Sequence, residues 1–380
     1  MKQIEMLDLP AQYEYMKRDI DLAVADCLKE QKWILGPQVK ELEDRISSYL
    51  GVKHCIGTSS GTDALVLCLR AFALIRKNKE YFDKRDEIIT TPFTFTATGD
   101  AILRSGATPV FVDIEPDTFN IDTKKIEEYL NCASSNVAGI IPVHLYGQPC
   151  KMDRIQEIAK KYGLFVLEDA AQAFGAEYGG KKAGSIGDAG ALSFFPSKNL
   201  GGFGDGGMVS TNDSGLAELV RRLLKHGGKD KYNVDHIGYN ARLDTLQAAI
   251  LLAKFKYIDE FNDKRRALAS VYNTGLAGQD PVVIPKEIEN IKHVYHQYTV
   301  RVPNGKRQQV QERLRENGIS TMVYYPVALH KMKVFAGRSI LHGALEEAER
   351  ACEEVLSLPI EPLMGNSETK KILTLILKII

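Results

Sequence analysis

The stretch LFVLEDAAQAFGA (164–176) decides the fold. It opens on an unbroken apolar run and then turns to two adjacent acids, Glu168 and Asp169. A strand apolar on both faces belongs inside a parallel sheet covered by helices. Its neighbours repeat the pattern. DEIITTP (86–92), TPVFVDI (108–114), VAGIIPVHLY (137–146), ALSFF (191–195) and GMVSTN (207–212) read as strands. TATGDAILRSG (96–106), DTKKIEEYL (122–130) and MDRIQEIAKKYG (152–163) between them read as helices. Alternation of this kind predicts an α/β fold with a mainly parallel sheet, whose ligands gather at the carboxyl ends of the strands.

Further out, the glycine pair in AEYGGKKAG (176–184) predicts a β-hairpin turn. Leu243, Leu246, Ile250, Ala253 and Phe261 keep a helical spacing, which predicts one long helix from near Arg242. The chain then divides into a large α/β domain over 1–250 and a small C-terminal α+β domain over 251–380. The latter holds the strand HQYTVRV (296–302) and the helix RQQVQERLRENG (307–318).

The totals exclude several classes. Among 380 residues, 49 Lys and Arg balance 49 Asp and Glu, so no net field favours nucleic acid or an anionic membrane. Six scattered cysteines form no C-x-x-C pair, which predicts neither a metal site nor a disulfide framework. The opening MKQIEMLDLPAQYEYMKRDI has no apolar signal core, and ILTLILKII (372–380) is too short to span a bilayer and is broken by Lys378. A cytoplasmic protein without membrane contact is the expectation.

Four motifs carry candidate chemistry. In ALSFFPSKNLGGFGDGG (191–207), Lys198 precedes its glycines and is followed by Asn199, the reverse of a P-loop. Gly202, Gly204 and Gly207 fit G-x-G-x-x-G, but a strand follows where a dinucleotide site requires a helix. A lysine held in a desolvated place for covalent chemistry is the remaining functional reading, against an ordinary surface lysine. CIGTSSGTDALVLCLRA (55–71) leads from a strand into a helix through Ser59, Ser60, Gly61 and Thr62: a phosphate cup, or plain capping. Asp169 at a strand end could partner the protonated ring nitrogen of a pyridoxal cofactor, or cap a helix or ligate a metal. Phe93 and Phe95 follow another strand end and could stack on a flat ring, or fill the core.

Cup, aromatic, acid and lysine, in this order, resemble the DegT/DnrJ/EryC1/StrS family of nucleotide-sugar aminotransferases that use pyridoxal 5'-phosphate. The resemblance runs through WILGPQVKELEDRISSYLG, SSGTDAL, GATPVFVDI, PVHLYGQP, EDAAQAFGA, SFFPSKNLG, GYNARLDTLQAAIL and VYYPVALH, nearly the whole chain. It implies the aspartate aminotransferase-like fold (fold type I) and a homodimer with shared active sites. It puts the Schiff-base and proton-shuttling lysine on Lys198, the ring-nitrogen partner on Asp169 and a contact near the ring hydroxyl on Gln172. Ser193, Gly61 and Thr62 fall on phosphate contacts, Phe95 on the stacking aromatic, and Asn240 on a residue reaching the neighbouring subunit's cofactor phosphate. Arg242 and His330 fall near the substrate, Arg242 as a carboxylate binder.

The implied reaction moves an amino group from glutamate, leaving 2-oxoglutarate, to a nucleotide-linked keto sugar. The loop after Lys198 resembles the branch acting on 3-keto sugars, and Arg242 points towards a UDP-linked 3-keto uronate; a 4-keto sugar is the alternative. A pyridoxamine-dependent dehydrase of the family carries histidine at the position of Lys198, and a non-catalytic regulator would lose the lysine or aspartate. One stretch departs from the family spacing. LIRKNKEYFDKRDEII (74–89) is longer and more charged than usual and is expected to extend a surface helix.

Overall fold

In the computed structural model, which describes residues 3–132, 136–230 and 232–379, the chain forms an α/β body with a smaller α+β unit against it. The N-terminal half runs α1 (Leu9–Glu30), α2 (Pro37–Leu50), β1 (His54–Thr58), α3 (Gly61–Lys77), β2 (Glu87–Thr90), α4 (Thr96–Arg104), β3 (Thr108–Phe111), α5 (Thr123–Cys132) and β4 (Val137–Ile140). It continues through α6 (Met152–Tyr162), β5 (Phe165–Asp169), β6 (Glu177–Tyr178), β7 (Lys181–Lys182), β8 (Ala189–Ser193), β9 (Gly207–Thr211) and α7 (Ser214–Leu223). The C-terminal part adds α8 (Thr245–Phe255), α9 (Ile258–Leu276), β10 (Ile291–Lys292), β11 (Tyr298–Arg301) and α10 (Arg307–Glu316). It ends with β12 (Ile340–Leu341), α11 (Glu346–Glu354), β13 (Val355–Leu358) and α12 (Asn366–Ile379).

The central sheet has the order β1-β9-β8-β5-β4-β2-β3-β12, and only β9 runs against its neighbours. All five residues of β5 and of β9 are buried, as a sheet covered on both faces requires. One face packs on α3 and α7 through Leu65, Leu69 and Val220; the other packs on α2 and α8 through Leu42, Leu192 and Leu251. The hairpin forms as expected, β6 pairing with β7 across Gly179 and Gly180, both at positive φ.

Three sequence expectations change. The single long helix begins only at Thr245, because residues 242 and 244 are spent on bridges to Thr58 and Ile34. It is two helices, broken at Lys256–Tyr257, where both side chains reach Asp19 of α1 at 3.1 and 2.9 Å. The charged stretch does not lengthen α3, which stops at a left-handed Asn78; turns occupy the residues that follow.

The cut drawn at 250/251 falls inside α8. The small unit's own core joins α9, β11, β13, α10 and α12, and it takes Ile4 from the N-terminus. Two C-terminal strands leave it: β10 pairs with β6, and β12 pairs with β3 at the sheet edge. Among the described residues no helix is long and apolar enough to cross a membrane.

Candidate active site

Register brings the site together. Asp169 lies opposite Ala191, Ser193 opposite Gly207, and Gly207 opposite Thr58, so β5, β8 and β1 end at one edge of the sheet. Above that edge lies a cavity of about 500 Å³ lined by Gly61, Thr62, Phe95, Asp169, Gln172, Ser193 and Lys198, with Tyr324, Tyr325 and His296 across it. Seven of the predicted residues therefore share one wall-to-wall space. Asn240, Arg242 and His330 are not in its lining.

Lys198 sits in a loop whose ends are tied: Phe194 N–H donates to Gly206 O and Gly202 N–H to Phe194 O, each at 2.8 Å. The next residue, Asn199, anchors the loop to the small unit. Its amide donates to Asn262 Oδ1 at 2.7 Å and Val294 O at 3.2 Å, and its oxygen lies 3.1 Å from His296 Nδ1. The lysine amine has no hydrogen-bond or ion-pair partner among the described residues. Desolvation lowers its pKa to about 8, with the Asp169 charge pulling the other way.

Glu168 and Asp169 differ in what they already hold. Glu168 is filled: Oε1 accepts from Ile186 and Gly187 N–H, both at 2.6 Å, and Oε2 from Gly184 N–H and His144 Nε2, both at 2.8 Å. His144 Nδ1 accepts from Cys150 N–H at 3.1 Å, which assigns the proton to Nε2. Among the described residues Asp169 accepts only from the Thr98 hydroxyl at 2.7 Å and Ala171 N–H at 3.2 Å. A carboxylate offers about four acceptor positions, so Asp169 keeps capacity for a cation and Glu168 does not. Burial raises the Asp169 pKa, and Thr98, Ala171, Lys198 and His144 offset this only in part. A protonated ring nitrogen fits that need.

At the start of α3, Ser60 caps the helix by accepting from Asp63 N–H at 3.0 Å. Both serine hydroxyls turn to Asp63 Oδ2, Ser59 at 2.5 Å and Ser60 at 2.9 Å. The N–H groups of Gly61 and Thr62 have no acceptor within the helix and lie at its positive end. Close approach requires glycine twice: a Cβ on Gly61 would lie 2.8 Å from Ser193 Cβ, and one on Gly207 2.3 Å from Ser60 carbonyl carbon. The cradle between α3 and β8 fits a phosphate.

Phe95 is 56% exposed at the cavity mouth, its ring 6.2 Å from that of Tyr325, whereas Phe93 is a core residue. Gln172 receives Tyr146 N–H at 2.8 Å and donates to the Tyr325 hydroxyl at 2.9 Å. Asn240 is exposed, and its oxygen accepts from the Arg242 guanidinium. His330 is tucked against Glu349 at 2.9 Å, away from the cavity. Sequence reasoning missed Thr98, Tyr325, His296 and Asn199. Thr98 stood one helical turn beyond Thr94, and Tyr325 lay inside VYYPVALH; neither had a signal separating it from packing.

The model of the DegT/DnrJ/EryC1/StrS aminotransferase family matches residues 14–377. The chain is 48% identical to a "pleiotropic regulatory protein" of Geobacillus stearothermophilus, covering 94% of each. It is 41% identical to the UDP-N-acetyl-3-dehydro-alpha-D-glucosamine 3-aminotransferase of Acidithiobacillus ferrooxidans, covering 98% of this chain and 97% of the relative. Among solved structures, S. venezuelae DesV in complex with a ketimine intermediate superposes with a TM-score of 0.93 at 36% identity, over 100% of this chain and 98% of DesV.

Proposed function

The chain belongs to the DegT/DnrJ/EryC1/StrS aminotransferase family, enzymes of the pyridoxal-phosphate fold type I, and from that premise we propose that it aminates a nucleotide-linked 3-keto sugar with glutamate as donor. The observation that carries the catalytic part is the pairing, in one cavity, of an unpartnered amine and a carboxylate with acceptor capacity to spare. Pyridoxal 5'-phosphate, when bound, supplies an electron sink for the charge left as the donor's α-proton departs.

Each residue then has a task. Lys198, through Nζ, would hold the cofactor at its carbonyl carbon and would serve as the base that moves the donor's α-proton. A pKa of about 8 leaves a useful fraction of free amine near neutral pH. Asp169, oriented by Thr98 and Ala171, would keep the ring nitrogen protonated. Gly61, Thr62 and Ser193 would hold the phosphate, Phe95 would pack on the ring, and Gln172, braced by Tyr146 and Tyr325, would meet its hydroxyl side. Exposed Asn240 and half-buried Arg242, bonded to it, would serve the site of a second subunit in a homodimer.

Position C3 is supported by the loop after Lys198 and by the relative whose name specifies a 3-aminotransferase. Arg242, the carboxylate binder that points towards a uronate, bonds to Asn240 rather than lining the cavity of its own subunit, so it would meet a substrate carboxylate only across the subunit interface. A relative called a regulatory protein raises a non-catalytic reading. The intact Lys198 and Asp169 pair favours catalysis.

The test is a mass-spectrometric assay with nitrogen-15 glutamate against a panel of 3-keto and 4-keto nucleotide sugars. The account predicts faster turnover of a 3-keto substrate, with the label at C3 by NMR. Preferred turnover of a 4-keto sugar with label at C4 contradicts it.

A further inference from the structure

The charged stretch after α3 has a use. Arg70, wholly buried in α3, donates through Nη2 to Glu80 Oε2 at 2.7 Å and through Nε to the Glu80 carbonyl. The same guanidinium reaches past Glu80 to the loop before α8. Nη2 donates to Ile237 O and Nη1 to the Tyr239 hydroxyl, each at 2.8 Å. The other Glu80 oxygen lies 2.8 Å from His236 Nδ1. Tyr81, the next residue, stacks on the Arg70 guanidinium at 3.8 Å, and Tyr239 lies over it at 5.5 Å.

Four of the five guanidinium donor positions are thus committed, and a planar fork fixes the spacing of everything it binds. The clamped residues run directly into Asn240. Ala241 O then accepts from Ser59 N–H at 2.9 Å, and Arg242 bridges to Thr58, so the same segment abuts the start of α3. One end of the loop is tied to the phosphate cradle and the other to Glu80.

We propose that Glu80 is a positioning residue which, through Arg70 and His236, fixes the 236–242 segment so that Asn240 and Arg242 are presented to the partner subunit's cofactor phosphate. The functional half rests on the cross-subunit reading given above. A buried guanidinium that loses its carboxylate is an unpaired charge, so Glu80→Ala frees the segment as well as breaking one bond. Glu80→Gln keeps an acceptor for Arg70 but loses the charge.

The test compares Glu80→Ala, Glu80→Gln, Asn240→Ala and, as control, Lys79→Ala, an exposed neighbour that meets Asp83 at 3.4 Å. On the holoenzyme, hydrogen exchange is followed in peptides over 235–242 and 64–77. Pyridoxal phosphate Kd is titrated by absorbance, and kcat is read at saturating cofactor. In Glu80→Ala, exchange over 235–242 is expected to quicken about tenfold while α3 stays protected. Its Kd is expected to rise about tenfold with kcat within about twofold of the parent. Glu80→Gln falls between, and Lys79→Ala matches the parent. Unchanged exchange over 235–242, or exchange quickened equally throughout, overturns the positioning role. An unchanged Kd in Glu80→Ala while Asn240→Ala weakens the cofactor also overturns it. An unchanged Kd in Asn240→Ala overturns the cross-subunit premise instead, and exchange alone then decides whether Glu80 holds the loop.

Discussion

At the residue scale, two adjacent acids have opposite fates, decided by counting acceptors. Glu168 takes four donors, three of them backbone N–H groups of the 184–187 turn, and so welds β5 to that turn. Charge-assisted bonds of this kind stabilise by roughly 1.5–3 kcal/mol each, enough to make Glu168 structural. Asp169 takes two and keeps its charge for a ligand. Asp169→Asn should still bind the cofactor but transaminate at least about a hundredfold more slowly, since losing a buried ionic partner costs roughly 3 kcal/mol. Steady-state kcat checks this, and near-normal turnover rules out the ring-nitrogen role.

Lys198 gives a test without turnover. Its folded pKa of about 8 lies below the ordinary lysine value of 10.5, so below about pH 8 the folded chain bears the full desolvation of a charged amine. Between pH 8 and 10.5 the unfolded chain binds more protons, and stability rises with pH. Cofactor-free Lys198→Met should therefore melt roughly 2 °C or more above the parent at pH 7, with the gap closing by pH 10. An equal gap at both pH values contradicts a desolvated amine.

At the element scale, the buried strands were legible because apolar runs as short as VLED's neighbours leave few alternatives once helices separate them. The start of α3 was legible too, since Ser-Gly-Thr after a strand has a limited set of uses. What escaped was set by contacts remote in sequence. The corner between α8 and α9 is pinned by Asp19, over two hundred residues away, and no local pattern at 256–257 announces it. Thr98 and Tyr325 reach the site from α4 and from a segment of the small unit, and their neighbours in sequence carry no trace of that. His330, by contrast, had a motif position and a structural use: its ring is packed beside Glu349.

At the scale of the whole molecule, the cradle we propose for the phosphate and the cavity's lysine belong to one chain, while Asn240 and Arg242 do not line that cavity. A homodimer that shares sites should show complementation. Lys198→Ala mixed with an Asn240→Ala/Arg242→Ala chain, both inactive alone, should recover about a quarter of parental activity, because half the dimers are mixed and each has one intact site. No recovery after demonstrated subunit exchange contradicts sharing.

The central claim is that one lysine among the many in this chain does the chemistry. Borohydride reduction of the holoenzyme followed by peptide mapping tests it most directly. The account predicts a single cofactor-labelled peptide bearing the adduct on Lys198, with Lys198→Ala unlabelled and devoid of transamination. Label on Lys181, Lys182 or any other lysine, or transamination surviving in Lys198→Ala, would contradict it.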